Sequence, residues 1–240
     1  MWLSQESRFE EELAIRGGIP VIFPWFGARE GKPAHGFARV NAWELKEVVK
    51  AANGAVKVHL RFPECAEAAE FGDFTVDYIV TVSDKLELQL VVANASANRE
   101  ISFEDCLHSY FTVGDIGAVS ITGLKGTRYL DKVAGFTEHT EPNDNIAITS
   151  EVDRVYMDTA AAVEIRDGKL RRKIRVEKEG SAATVVWNPW IAKSKTMSDF
   201  GDEEYREMVC VESGNVGKNK ITLSPGKAAT MTVKISSAAN

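Results

Sequence analysis

The stretch Val56-Lys57-Val58-His59-Leu60-Arg61-Phe62 decides the fold class. Val56, Val58, Leu60 and Phe62 fall on one face of an extended chain, and Lys57, His59 and Arg61 on the other, because strand side chains alternate between faces. The same period of two extends outward from it. Residues 75–82 and 85–94 are joined by Ser83-Asp84, a tight turn between antiparallel strands. Residues 101–113, 118–124, 161–166, 169–177, 182–187, 206–212 and 228–236 repeat the pattern, and Asp167-Gly168 between two of them is a hairpin signal. Helical patterning is confined to residues 64–71 and 202–206, enough for a turn or two each. No linker, repeat or low-complexity tract divides the 240 residues. The expectation is an all-β chain, a single domain over residues 1–240 built as one large antiparallel β-sandwich.

Composition narrows the function. With 44% hydrophobic and 27% charged residues the chain is an ordinary globular sequence, long enough to bury one core. A net charge of −6 disfavours nucleic acid as a partner. No apolar run suits a bilayer, and Met1-Trp2-Leu3-Ser4-Gln5-Glu6 lacks the basic-then-apolar order of a leader. Cys65, Cys106 and Cys210 are odd in number and far apart, which favours buried, reduced thiols over a disulfide framework. The expected setting is cytoplasmic, without membrane or nucleic-acid partners. His35, His59, His108 and His139 show no metal-ligand spacing, and there is neither a phosphate-cradling GxxxxGK[ST] nor a dinucleotide fingerprint. Neither a metal nor another cofactor is expected.

One segment breaks the alternation. Ile15-Arg16-Gly17-Gly18-Ile19-Pro20-Val21-Ile22-Phe23-Pro24-Trp25-Phe26-Gly27, followed by His35-Gly36-Phe37-Ala38-Arg39, mixes glycine, proline and aromatics. Glycine permits close backbone approach and proline stiffens the path, so the segment reads as a rigid loop laid against something. Between Leu13 and Trp43 it carries Arg16, Arg29, Lys32 and Arg39 against Glu30 alone. That local excess of positive charge points to a small anionic ligand.

Four features are candidates for chemistry. His108 shares a strand face with Glu104, Cys106, Tyr110 and Thr112, a polar lining suited to a cleft. Glu212 closes the apolar run Met208-Val209-Cys210-Val211, where burial raises a carboxyl pKa toward neutrality and suits it to proton transfer. Asp153-Arg154 lies in a polar segment, and Arg16 and Arg39 form the last candidate pair. Each has an ordinary alternative: an interior histidine, a solvated strand end, a surface ion pair. The residues alone stop at an all-β protein with an anionic-ligand site and an acid/base pair that spacing does not connect.

Seven blocks nonetheless occur in a recognisable order: Arg16-Gly-Gly-Ile-Pro with Phe-Pro-Trp-Phe-Gly27, His35-Gly-Phe-Ala-Arg39, Leu107-His-Ser-Tyr-Phe111, Gly123-Leu-Lys-Gly-Thr-Arg-Tyr-Leu-Asp-Lys132, Asp153-Arg-Val-Tyr156, Trp187-Asn-Pro-Trp190 and Met208-Val-Cys-Val-Glu212. Together they resemble the hexose-6-phosphate mutarotases, or glucose-6-phosphate 1-epimerases, of the aldose 1-epimerase superfamily. The resemblance implies a galactose mutarotase-like β-supersandwich, here without the strands that precede Met1-Trp2-Leu3-Ser4 in relatives, and with them a loss of stability. It implies a monomeric isomerase that interconverts the α and β anomers of a hexose 6-phosphate without a cofactor. His108 and Glu212 match the catalytic positions. Arg16 and Arg39 match substrate- and phosphate-binding arginines, Asp153 a hydroxyl-binding aspartate, and His35 a further substrate-binding position. Trp25 or Trp190 would stack on the sugar or, more simply, fill the core. The competing expectation on the same fold is a non-catalytic sugar-phosphate binder.

Overall fold

The computed structural model describes residues 1–240. Two large antiparallel sheets carry the chain. In the eight-stranded sheet the order is Val21–Ile22, Asp105–Leu107, Met208–Asn215, Ala183–Asn188, Val152–Met157, Arg128–Asp131 and Thr137–Thr140, with Tyr110–Thr112 also paired to Met208–Asn215. The nine-stranded sheet runs Ile146–Ala147, Val119–Thr122, Val163–Asp167, Arg172–Glu179, Ala228–Ala239, Leu86–Asn94, Phe74–Val82, Val56–Arg61 and Glu44–Lys50. A separate pair joins Ile221–Leu223 to Ile101–Phe103. One hydrophobic core holds the sheets together, with Leu88, Leu90 and Val92 of the larger in the same cluster as Val209 and Val211 of the smaller. No helix is long and apolar enough to cross a membrane.

The alternation works as expected where a strand has one dry face. Along Leu86–Asn94, Leu88, Leu90 and Val92 are buried while Glu87, Gln89 and Val91 are only partly covered. The expected strand over 101–113 is instead three pieces, Ile101–Phe103, Asp105–Leu107 and Tyr110–Thr112. The chain changes sheets at Glu104, whose carboxylate accepts from the backbone N–H groups of Phe26 and Gly217 rather than sitting on a ladder. It breaks again at His108 and Ser109, where the His108 N–H donates to the Pro20 carbonyl at 3.0 Å. The hairpin after Asp167 takes four residues, not two, so that Arg172 opposes Asp167 and Arg171 adopts a left-handed φ of 52°. Sequence periodicity also passed over Glu44–Lys50, an outermost strand exposed along its whole length and so without a one-faced pattern.

The glycine-rich loop is laid flat on the smaller sheet. Its carbonyls at Gly18 and Pro20 accept from Tyr110 and His108, and Gly18 N–H donates to Trp2. Glycine is required at two positions. A Cβ on Gly36, which sits at φ 73°, would lie 2.0 Å from the Phe23 carbonyl oxygen. One on Gly17 would lie 2.5 Å from the Leu3 Cα. These contacts fix where Arg16, His35 and Arg39 leave the backbone.

Candidate active site

The strand Met208–Asn215 is the floor of the site. Antiparallel register sets Asp153 opposite Trp187, Trp187 opposite Cys210 and Cys210 opposite Tyr110. Residues directly opposed in a ladder share a face, so these four side chains form one row. Glu212, two residues beyond Cys210, projects from the same face in the next row, opposite Val185. His108 enters from the break before Tyr110–Thr112 and stacks on Tyr110 with ring centroids 4.6 Å apart and planes 9° apart. Trp187 meets it edge-on at 6.0 Å. These two aromatic contacts bring the His108 Nε2 to 3.4 Å from the Glu212 Oε1, with 6% of the histidine and 1% of the glutamate exposed.

A cavity of about 320 Å³ opens over this pair. The loop supplies Arg16, His35 and Arg39 to its wall; Lys132 comes from the turn after Arg128–Asp131, Asp153 from Val152–Met157, and Lys193 from the short helix Trp190–Ser194. The cations differ in their partners. Arg16 donates through Nε to the Asp199 carboxylate at 3.1 Å and through Nη1 to the Tyr110 hydroxyl at 3.1 Å. Lys132 is paired with Asp153 at 2.7 Å and lies over the Phe26 ring. Arg39 donates Nη2 to the Ala34 carbonyl at 2.9 Å, and its buried Nε has no partner. Lys193 is exposed and has no carboxylate within ion-pair distance.

The two buried ionisable groups of the floor are shifted in opposite directions. Burial, reinforced by the nearby Asp153 charge, raises the Glu212 carboxyl to about 8. Burial first, and then the positive charges of Arg39 and Arg16 nearby, hold His108 well below the usual histidine range. Cys106 donates its thiol to the second Glu212 oxygen at 3.4 Å. His35 is pushed down to about 3 by burial and then by Arg39, Lys132 and Arg16. Its Nδ1 accepts from the Gly27 N–H at 3.3 Å, so the neutral ring carries its proton on Nε2. At neutral pH the floor is therefore an uncharged pair holding one exchangeable proton.

All six residues expected at a site line this one cavity: His108, Glu212, Arg16, Arg39, Asp153 and His35. Asp153 and Arg154 part company, because successive strand residues face opposite ways. Asp153 points to the cavity and Lys132, whereas Arg154 reaches the buried Glu141 at 3.3 Å. Trp25 and Trp190 are not on the cavity. The Trp25 indole is buried and donates to the Pro33 carbonyl, and Trp190 packs on Tyr205, so both serve the core. Trp187, quoted in the sequence only as the start of the Trp187–Trp190 block and the end of a strand and given no role there, lines the cavity in their place. Asp199 and Lys193 gave no signal at all, since each lies in polar sequence without periodicity. The ligand atoms of His108, Cys210 and Glu212 come within 4.8 Å of one another, a cluster that spacing along the chain does not show because it forms across strands. Arg16, Arg39 and Lys132 share that space, and their charge disfavours a further cation there.

Residues 8–236 match the family model described as aldose 1-epimerase. A protein from Escherichia coli K12 with the provisional name glucose-6-phosphate 1-epimerase is 37% identical over 217 residues, which is 89% of this chain and 71% of that protein. One from Cenchrus ciliaris with the same provisional name is 36% identical over 236 residues, or 95% of this chain and 71% of its own length. Among solved structures, a provisionally assigned mutarotase, YeaD from Salmonella typhimurium, superposes with a TM-score of 0.91 at 32% identity, covering 100% of this chain and 80% of that one. The antiparallel sandwich expected from alternation and from the seven blocks is the fold these proteins share.

Proposed function

The chain belongs to the aldose 1-epimerase family, and from that premise we propose that it interconverts the α and β anomers of an aldohexose 6-phosphate. The observation that carries this reading is the buried His108–Glu212 contact of 3.4 Å at the floor of a cavity walled by cations. Opening a pyranose requires a base for the anomeric hydroxyl proton and an acid for the ring oxygen. The pair holds one proton at neutral pH, so one member serves each role. Its charged form, with Glu212 as carboxylate and His108 as imidazolium, is one proton transfer away across the contact. In that form Glu212 accepts from the anomeric hydroxyl while His108 donates to the ring oxygen. The open aldehyde rotates about its C1–C2 bond and recloses on its other face, with donor and acceptor exchanged. No net proton is gained or lost, which explains how so dry a pair can turn over.

The walls orient the sugar. Asp153, held by Lys132, and neutral His35, with its Nε2 proton, offer an acceptor and a donor for ring hydroxyls. Cations above the floor favour a phosphorylated sugar over a free one, since charge-assisted contacts to phosphate are the stronger kind. NMR exchange between the anomers of glucose 6-phosphate, corrected for the spontaneous rate, tests the proposal. His108→Asn, folded as judged by circular dichroism, is expected to lose about 10²–10⁴-fold of the catalysed rate. A folded variant exchanging at the normal rate would remove His108 from the mechanism, and a non-catalytic sugar-phosphate binder would exchange no faster than solvent in any variant.

A further inference from the structure

We propose that Lys193, at the mouth of the cavity, is the second phosphate ligand and sets the preference for phosphorylated sugars, with Arg39 as the first. The inference rests on the hexose 6-phosphate reading of the site and on an inventory of its charges. Four cationic side chains line the cavity: Arg16, Arg39, Lys132 and Lys193. Two are already matched by carboxylates. Arg16 spends its guanidinium on Asp199 at 3.0 Å and on Tyr110, and Lys132 is held by Asp153 at 2.7 Å. A phosphate approaching either would meet a pair that is close to neutral. Arg39 has only the Ala34 carbonyl and a buried Nε without a partner, and Lys193 has no ion pair at all. A phosphomonoester carries close to two negative charges at neutral pH, which Arg39 and Lys193 together balance.

Position supports the same assignment. C6 stands outside the pyranose ring on C5, which the ring oxygen joins to C1. With C1 over His108 and Glu212 at the floor, the rotatable C5–C6–O arm holds the phosphate away from the reacting carbon, within the same cavity and toward its cationic wall. Lys193 is on the rim, exposed, on a helix that begins where Trp190 takes a left-handed φ of 54° after Pro189. Lys193 from this helix and Arg39 from the loop line the same cavity. A flexible ammonium in water suits a phosphate that keeps part of its hydration, whereas the guanidinium of Arg39 binds from the buried side. Lys195, two residues on, is equally exposed but does not line the cavity, and it provides the control.

Anomer exchange is measured on glucose 6-phosphate and on free glucose for the unaltered chain, Lys193→Ala, Lys193→Arg and Lys195→Ala. Lys193→Ala is expected to lower the preference for the phosphorylated sugar, as the ratio of kcat/KM values, about tenfold, chiefly through KM. Lys193→Arg is expected to restore most of it, and Lys195→Ala to leave it unchanged. An unchanged preference in Lys193→Ala would overturn the assignment while leaving the mutarotase reading intact. An equal fall in Lys195→Ala would also overturn it, since surface charge in general would then be responsible. Exchange of neither sugar by the unaltered chain would instead overturn the reading on which the assignment rests.

Discussion

Replacing Glu212 by glutamine is expected to stabilise the fold while it abolishes catalysis. In the unfolded chain the carboxyl releases its proton near the ordinary 4.5, whereas the folded protein keeps it up to about 8. Between those values the native state binds the extra proton, so stability contributed at this site is greatest at low pH and falls as pH rises. Each pH unit in that interval costs about 1.4 kcal/mol, which makes the cost at pH 7 about 3 kcal/mol. Glutamine does not ionise and avoids the cost. It also keeps an acceptor for the Cys106 thiol, now 3.4 Å away, and a donor toward His108. Neutral His108 is common to both proteins and cancels in the difference. Urea unfolding of the two proteins at pH 4.5, 6 and 7 checks the expectation: the curves should nearly coincide at pH 4.5, and Glu212→Gln should pull ahead by up to about 3 kcal/mol at pH 7. A gap that does not change with pH, or a glutamine variant that is less stable at pH 7, would show that burial does not hold Glu212 neutral. The shared-proton mechanism would then fall with it.

On the proposed mechanism the same carboxyl is expected to set an alkaline limit on the reaction. With His108 already neutral, deprotonation of Glu212 leaves the pair with no proton to donate, so kcat/KM for anomer exchange should fall tenfold per pH unit above about 8; a profile flat to pH 10 would contradict this. Gly36→Ala, whose Cβ would meet the Phe23 carbonyl in a left-handed backbone, should cost on the order of 1–3 kcal/mol in thermal or urea unfolding and displace His35 from the cavity wall. A melting temperature unchanged from the parent would mean the loop yields more readily than its contacts indicate.

Strands with one dry face, such as Leu86–Asn94, were legible in the sequence because a period of two survives wherever burial is one-sided. Glu44–Lys50 was not, since an outermost strand wetted on both faces has no pattern to display. The run 101–113 misled for a different reason. Its alternation is genuine, but Glu104 and the His108-Ser109 break divide it among partners that only the tertiary fold supplies. The site shows the same division. His108 and Glu212 carried residue-level cues, and the resemblance of seven blocks placed Arg16, Arg39, Asp153 and His35. Nothing in the sequence indicated that Asp199 would occupy Arg16 or that Lys193 would stand at the mouth, because those are contacts between segments far apart along the chain.

The two members of the proposed acid/base pair, His108 and Glu212, lie on either side of a long excursion of the chain. His108 lies in the break between Asp105–Leu107 and Tyr110–Thr112, both paired to Met208–Asn215, and the polypeptide from there to Glu212 supplies Arg128–Asp131, Thr137–Thr140, Val152–Met157 and Ala183–Asn188 of the same sheet as well as four strands of the other. Closing so large a loop is entropically costly and is repaid only when the intervening strands have paired. Partly assembled chains therefore hold neither half of the proton relay in reach of the other. In a refolding experiment the return of turnover would report the last long-range closure, not the earlier growth of local hairpins, and the enzyme's own activity serves as a clock for the completion of its sheet.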